Sequence, residues 1–303
     1  MKLRIQMSRT HALAGVAMLG AGLLCAQWQS YPTSGVPRDS EGKPILDGPT
    51  PRTTDGHPDL SGIWAFRGPG RGGRGGAQGA NAAGPGTQGA TSGTNAQPAP
   101  PPEPPASGPP AATFANIGSG FKDGLPLQPW AFELLKSRMD EHSKDNPDAH
   151  CLPLGLTQLH MHPQPRKIIQ SPLVTVILYE AQGGVRQIFT DGRLLPGDDI
   201  QPWWYGYSIG HWEGDTLVVE TSGFRDDVWL DINGSPLTET GRMIERFRRP
   251  NYGTMEVDVT IDDPKVYTKP FTVRMNYRIM PDTDLIEFIC NENDRSGAHL
   301  VGK

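Results

Sequence analysis

Two stretches of strict alternation constrain this chain more than anything else in it. Met255, Val257, Val259 and Ile261 alternate with Glu256, Asp258, Thr260 and Asp262, and Val273, Met275, Tyr277 and Ile279 alternate with Arg274, Asn276 and Arg278. Successive side chains of a strand point to opposite faces, so each stretch reads as a strand with one dry and one wet face, the pattern of antiparallel sheet. The period of two begins at Lys167. Apolar runs at 173–179, 185–189, 207–212, 216–221, 243–248 and 285–290 read as further strands. Asp191-Gly192, Glu213-Gly214, Asn233-Gly234, Tyr252-Gly253 and residues 281–284 supply turns between them. The expected class is therefore all-β and mainly antiparallel: an up-and-down β-barrel or strongly curved sheet, with a β-sandwich as the alternative. One short N-terminal helix precedes the sheet. Pro129 suits a first helical position, and Trp130, Leu134, Leu135 and Met139 recur near helical spacing until about His142.

The N-terminal third has a different composition. From Arg67 to Thr113 there is no Leu, Ile, Val, Met or aromatic residue, and such a stretch cannot bury enough apolar surface to offset the entropy of ordering it. Residues 67–113 are expected to be a disordered Gly/Ala/Pro-rich linker. Its RGPGRGGRGG portion reads as a spacer, because a formal charge of -5 and a pI near 5.9 argue against a nucleic-acid partner. Just upstream, Asp55-Gly56 and His57-Pro58 are turn chemistry and residues 60–66 are an apolar run. A lone strand is not stable. Residues 51–66 are thus expected to give the first strand of a β domain otherwise formed by 114–303, with 27–50 a flexible mature N-terminus.

The first residues carry the pattern of a secretory signal. Lys2, Arg4 and Arg9 precede an uncharged apolar stretch, 12–24, that is too short to span a bilayer, and cleavage after Ala26 makes 1–26 the signal peptide. A lipoprotein signal with Cys25 as the lipidated residue is the alternative. Both readings predict a periplasmic or secreted protein without a membrane span. Removal of Cys25 leaves Cys151 and Cys290, an even pair in an oxidising compartment, for which a disulfide is expected.

The stretches DGHPDLSGIW, GYSIGHWEGDTLVVETSGF, IERFRRP, TIDDPKVYTKPFTV and FICNEN resemble a large family of uncharacterised exported proteins of soil bacteria. The resemblance covers nearly all of the chain outside the signal and linker; it implies export and brings no activity with it. At the level of fold, an opening G-x-W strand followed by the WEGDTLVV hairpin resembles calycin-type, lipocalin-like barrels. That implies a barrel cavity holding a small apolar ligand, an analogy of fold that does not fix function.

Three groups of residues carry candidate chemistry. His150, His160 and His162 lie close together in AHCLPLGLTQLHMHPQP; in an extended segment His160 and His162 share a face, and His150, His211 or a carboxylate completes a possible zinc site. Trp203, Trp204, Tyr205, Tyr207 and Trp212 are crowded together, with Trp229 further on. Trp204, Tyr207, His211, Trp212 and Trp229 are the candidate ligand-binding residues, and His160, His162, Trp204, Tyr207 and His211 are expected to converge on one cavity. Glu213, Asp226, Asp227, Asp231, Glu245 and Asp262 are weakly arranged carboxylates, whereas Asp191, Asp215 and Asp263 sit in turns and read as backbone caps. Gly206 to Gly210, G-Y-S-I-G, matches a nucleophile elbow formally, but no helix follows it. Two functions follow: an exported binding protein whose barrel cavity takes a small apolar or aromatic molecule, or an envelope metal-assisted hydrolase or lyase centred on the histidine segment.

Overall fold

The computed structural model describes residues 31–69, 108–197, 201–290 and 292. The expected signal peptide, 1–26, and most of the expected linker lie outside these residues. Nine strands close a barrel in the order β1-β11-β10-β9-β6-β5-β4-β3-β2. They are β1 (Gly62–Arg67), β2 (Arg166–Gln170), β3 (Val174–Tyr179), β4 (Val185–Phe189), β5 (Tyr207–Glu213), β6 (Thr216–Ser222), β9 (Arg242–Asn251), β10 (Thr254–Asp262) and β11 (Phe271–Ile279). Between β6 and β9 a short ribbon, β7 (Val228–Trp229) and β8 (Pro236–Leu237), stands outside the barrel order. The order is that of an up-and-down meander with one exception: β4 and β5 run parallel and pair only at Ile188–Ser208 and Phe189–Ile209. The remaining pairs are antiparallel.

The alternating segments form β10 and β11, nine residues each. In β10 and β11 the residues in the apolar phase are 0–7% exposed and fill the barrel, each contributing about 1.5–3 kcal/mol by leaving water. The first strand does not stand alone: Trp64 pairs with both Arg166 and Ile279, so β1 closes the barrel between β2 and β11. The excursion that follows leaves and rejoins on one strand. Arg67 lies opposite Asn276, and after the linker Ala112 donates its N–H to the Arg274 carbonyl (3.0 Å) while the Arg274 N–H is given to Pro110 (2.9 Å). The ordered domain thus begins before residue 114.

Residues 31–50, expected to be flexible, are tied to the barrel. Gly253 and Tyr252 donate their N–H groups to Leu46 and Gly48 (2.7 and 2.8 Å), and Arg38 is paired with Asp282. A Cβ at Gly253 would stand 2.6 Å from the Leu46 carbonyl, so only glycine permits this approach. The run 285–290, expected as a strand, forms none. It has no free strand to pair with, because β1 already occupies that side of β11. Its position is fixed by Ile286 N–H to Glu180 (3.1 Å) and by a disulfide between Cys290 and Cys151, as the cysteine count predicts, with Cα atoms 5.6 Å apart. A crosslink across 139 residues stabilises by about 5 kcal/mol in the chain-entropy model. It is consistent with an extracellular or periplasmic protein. No helix among the described residues is long and apolar enough to cross a membrane.

Two helices complete the fold among the described residues. Helix α1 (Pro129–Asp140) buries only Ala131 and leaves Trp130, Phe132 and Met139 exposed. Helix α2 (Leu156–Met161) is buried at every residue. The His160 side chain on α2 reaches β3, β4 and β9, and its carbonyl accepts from Arg166 of β2 and from Tyr277 of β11 (3.0 Å). Contacts all round the wall place α2 as a plug in one end of the barrel.

Candidate functional site

The histidine segment is helical where an extended chain was expected, and the three imidazoles part company. His160 lies in the last turn of α2 and points into the barrel. His162 caps the helix and meets the edge of Phe114, ring centroids 4.9 Å apart. His150 ends an exposed 3-10 turn. Two residues apart on a helix, side chains diverge by about 200°, so the shared face on which the zinc site depended does not exist. Among the described residues no three His, Cys, Asp or Glu side chains are grouped as metal ligands.

What His160 does instead is complete a buried polar network that no motif announced. Glu245 of β9 is 0% exposed and forms a two-pronged ion pair with Arg186 of β4, which is 2% exposed: Nη1 lies 3.0 Å from Oε1, and Nη2 meets Oε2. Arg186 also donates to the Ser208 hydroxyl (3.1 Å from Nε and from Nη2) and to Thr221 Oγ1 (3.0 Å). His160 Nε2 is 2.9 Å from Glu245 Oε1, and Tyr179 Oη is 3.4 Å from Nδ1. With the ring proton on Nε2 it is donated to the carboxylate and Nδ1 accepts from tyrosine; Arg186 Nη1 also stands 3.1 Å from Nε2.

The charges follow from these contacts. Burial pushes the Glu245 carboxyl up, but the charge of Arg186 and the hydrogen bond from His160 outweigh it and hold the group at about 2. Burial lowers His160 against the pull of Glu245, so it is a neutral partner. Burial and Arg166 together lower His162 to about 4. Arg166, 1% exposed, spreads its charge over the carbonyls of His160, His162 (2.8 Å) and Gln164 (2.9 Å) and over the Tyr277 ring, with no carboxylate partner among the described residues. It clamps the C-terminal end of α2, where carbonyl dipoles favour a cation.

Two members of the network, Arg186 and Ser208, border a cleft. Where β4 and β5 stop pairing, the barrel wall parts into a cleft of about 380 Å³. Arg186 and Ser208 are its buried floor; Phe189, Trp203, Trp204, Tyr205 and Tyr207 are its aromatic walls. Tyr207 stacks on Phe189 (centroids 5.3 Å), and Arg225 covers Trp204 (4.5 Å). The indole N–H groups of Trp203 and Trp204 and the Tyr205 hydroxyl have no hydrogen-bond partner among the described residues.

Of the five candidate ligand residues, Trp204 and Tyr207 therefore line this cleft. His211 and Trp212 line a different cavity, at the opposite end of the barrel from the α2 plug. Trp229 is 3% exposed with Arg138 over its ring (4.3 Å), a packed residue bordering a third hollow beside α1. The expected convergence of His160, His162, Trp204, Tyr207 and His211 fails: His160 lies inside the barrel and His162 against Phe114, while Tyr207 and His211 are in the opposite phase of β5 from the inward-facing Ser208, and His211 is exposed. Among the turn carboxylates, Asp191 and Asp263 cap backbone N–H groups, while Asp215 forms an ion pair with Arg52.

Ser208 is the serine of G-Y-S-I-G, yet it sits within β5 with Arg186 as its partner and no histidine in reach among its hydrogen bonds. Arg186 was the residue that sequence reasoning missed, and Glu245 was named only among the weakly arranged carboxylates. The signal was present: Glu245 lies between Met243 and Phe247 in the apolar phase of β9, and Arg186 shares its phase with Ile188. A charge in phase with core residues is a buried charge.

No protein-family model, curated protein or solved structure matches this chain.

Proposed function

We propose that this is an exported, periplasmic or secreted small-molecule binding protein of lipocalin-like architecture that holds an apolar or aromatic ligand in the cleft between β4 and β5. One observation carries the reading: five aromatic side chains wall a break in the barrel whose floor is the buried Arg186–Ser208 pair. Aromatic faces supply apolar contact area, and unpartnered indole and phenol donors favour a ligand carrying hydrogen-bond acceptors. The centre of the barrel is filled by side chains, which moves the ligand from the axis, where lipocalin-type barrels hold it, to the side.

The alternative, a metal-assisted hydrolase or lyase, rested on His150, His160 and His162, and these do not form a ligand set. Calorimetric titration of the wild type and Trp204→Ala with 1-naphthol tests the binding reading. Loss of a well-packed aromatic wall should weaken binding by about 1 kcal/mol, roughly fivefold. Equal affinity in a folded Trp204→Ala variant removes the cleft from consideration.

A further inference from the structure

The opposite end of the barrel holds a second cavity, of about 600 Å³, with a different chemistry. Its lining includes Gln170, Thr175 and Thr190 on one side and Gly210, His211 and Trp212 on the other. The turn 52–58 lies across it. Arg52 donates to both carboxylate oxygens of Asp215 on the β5–β6 hairpin (2.7 and 2.6 Å), and the His57 imidazole lies flat on Trp212, centroids 4.5 Å apart and planes 6° from parallel. Thr175 is 2% exposed, and its hydroxyl, unlike that of Thr190, has no partner among the described residues. It is not sealed in protein either, so it opens on the cavity. The Trp212 N–H likewise has no acceptor.

We infer that this cavity is a second binding site, for a neutral hydroxyl-rich ring of the hexopyranose type. Such a ring has an apolar face that fits a flat indole and an equatorial edge of hydroxyls that both donate and accept. The lining answers with hydroxyls, an amide, imidazoles and the Asp55 carboxylate, and it offers no arginine or lysine that would select an anion. His57 occupies the Trp212 face that the sugar would take, so the 52–58 turn is the element that gives way. This site is independent of the aromatic cleft.

The test is calorimetric titration of the full mature chain with D-glucose, D-galactose and D-mannose, each up to about 50 mM. Saturable binding of at least one is expected. Thr175→Val, which keeps the shape and removes the hydroxyl, should weaken it about tenfold. His57→Ala should tighten it about threefold by freeing the indole. Trp204→Ala, in the other cleft, should leave sugar binding unchanged, which separates failure of this site from failure of that one. Thr175→Val is checked for an unaltered melting transition, and Trp212→Ala provides a second variant expected to abolish binding. Absence of saturation with all three sugars, tighter binding of adenosine than of any sugar, or full affinity in folded Thr175→Val and Trp212→Ala overturns the proposal.

Discussion

Along β10 and β11 the inward residues are Met255, Val257, Val259, Ile261, Phe271, Val273, Met275, Tyr277 and Ile279, all nearly inaccessible and all apolar apart from one phenol hydroxyl. Across the barrel, the inward residues of β2 to β6 and β9 include Arg166, Thr175, Arg186, Ser208, Thr221 and Glu245, equally inaccessible. Burying hydrocarbon is favourable on its own; burying an ion pair rarely is, since desolvation offsets the attraction. One wall is built for stability. The other accepts an energetic cost, and it is the wall that opens into the aromatic cleft.

Breaking the polar wall should have the largest effect. Glu245→Gln removes the only carboxylate facing Arg186 and His160 among the described residues and leaves the buried Arg186 guanidinium uncompensated, so a loss of about 3–5 kcal/mol in urea unfolding is expected. Replacing Arg186 and Glu245 together by methionine should recover most of that loss while abolishing the affinity of the cleft, because Ser208 loses the donors that orient it. A Glu245→Gln cost below about 1 kcal/mol would remove the distinction between the walls.

Acidity should sharpen the same contrast. His162 titrates near 4 in the folded protein and near 6.5 unfolded; the unfolded chain therefore binds more protons between these values, and stability falls as pH drops through that window. The ceiling is about 3 kcal/mol. Glu245 works in a lower window. Its folded value of about 2 against 4.5 unfolded means that its contribution is complete above 4.5 and is lost as pH falls toward 2. Unfolding midpoints measured from pH 7 to 3 should decline in wild type and decline less steeply below 6.5 in His162→Gln, the remaining slope coming from His160, which burial also lowers. Ile261→Val, in the apolar wall, should cost about 1 kcal/mol equally at every pH. A pH-dependent cost at Ile261, or an unchanged slope in His162→Gln, breaks the comparison.

The apolar wall was legible in the sequence and the polar wall was not, for one physical reason. Alternation at 255–262 and 273–279 states both the element and its buried face, and the need for a partner brings β1 across the linker. At β9 the same alternation runs through Met243, Glu245 and Phe247. Charge counts as surface until the phase of the strand is given priority over the residue type. The histidines misled for a related reason: six residues between Gly155 and His162 are too few to show a helical period, so α2 was hidden and with it the direction of each imidazole. The aromatic crowding did mark a site. It could not show that Trp204 and Trp212 lie at different ends of β5, because that depends on where the β4–β5 pairing stops.

The smallest expected effect separates ring from hydroxyl at the cleft itself. Tyr207 stacks on Phe189, while its hydroxyl accepts from Arg193 (2.9 Å) at the exposed rim, and Arg193 is held by Asp191. An exposed hydrogen bond of this kind contributes little, because water replaces it. Tyr207→Phe keeps the stacked ring and should leave both the melting transition and 1-naphthol affinity within error of wild type. Tyr207→Ala removes a wall of the cleft and should weaken binding by about 1 kcal/mol, as at Trp204. If Tyr207→Phe alone lowers affinity that far, the phenol hydroxyl touches the ligand, and Arg193 then belongs to the binding surface as the cation beside it. If neither variant changes affinity, the aromatic wall is packing, and the two sides of the barrel differ in stability but not in function.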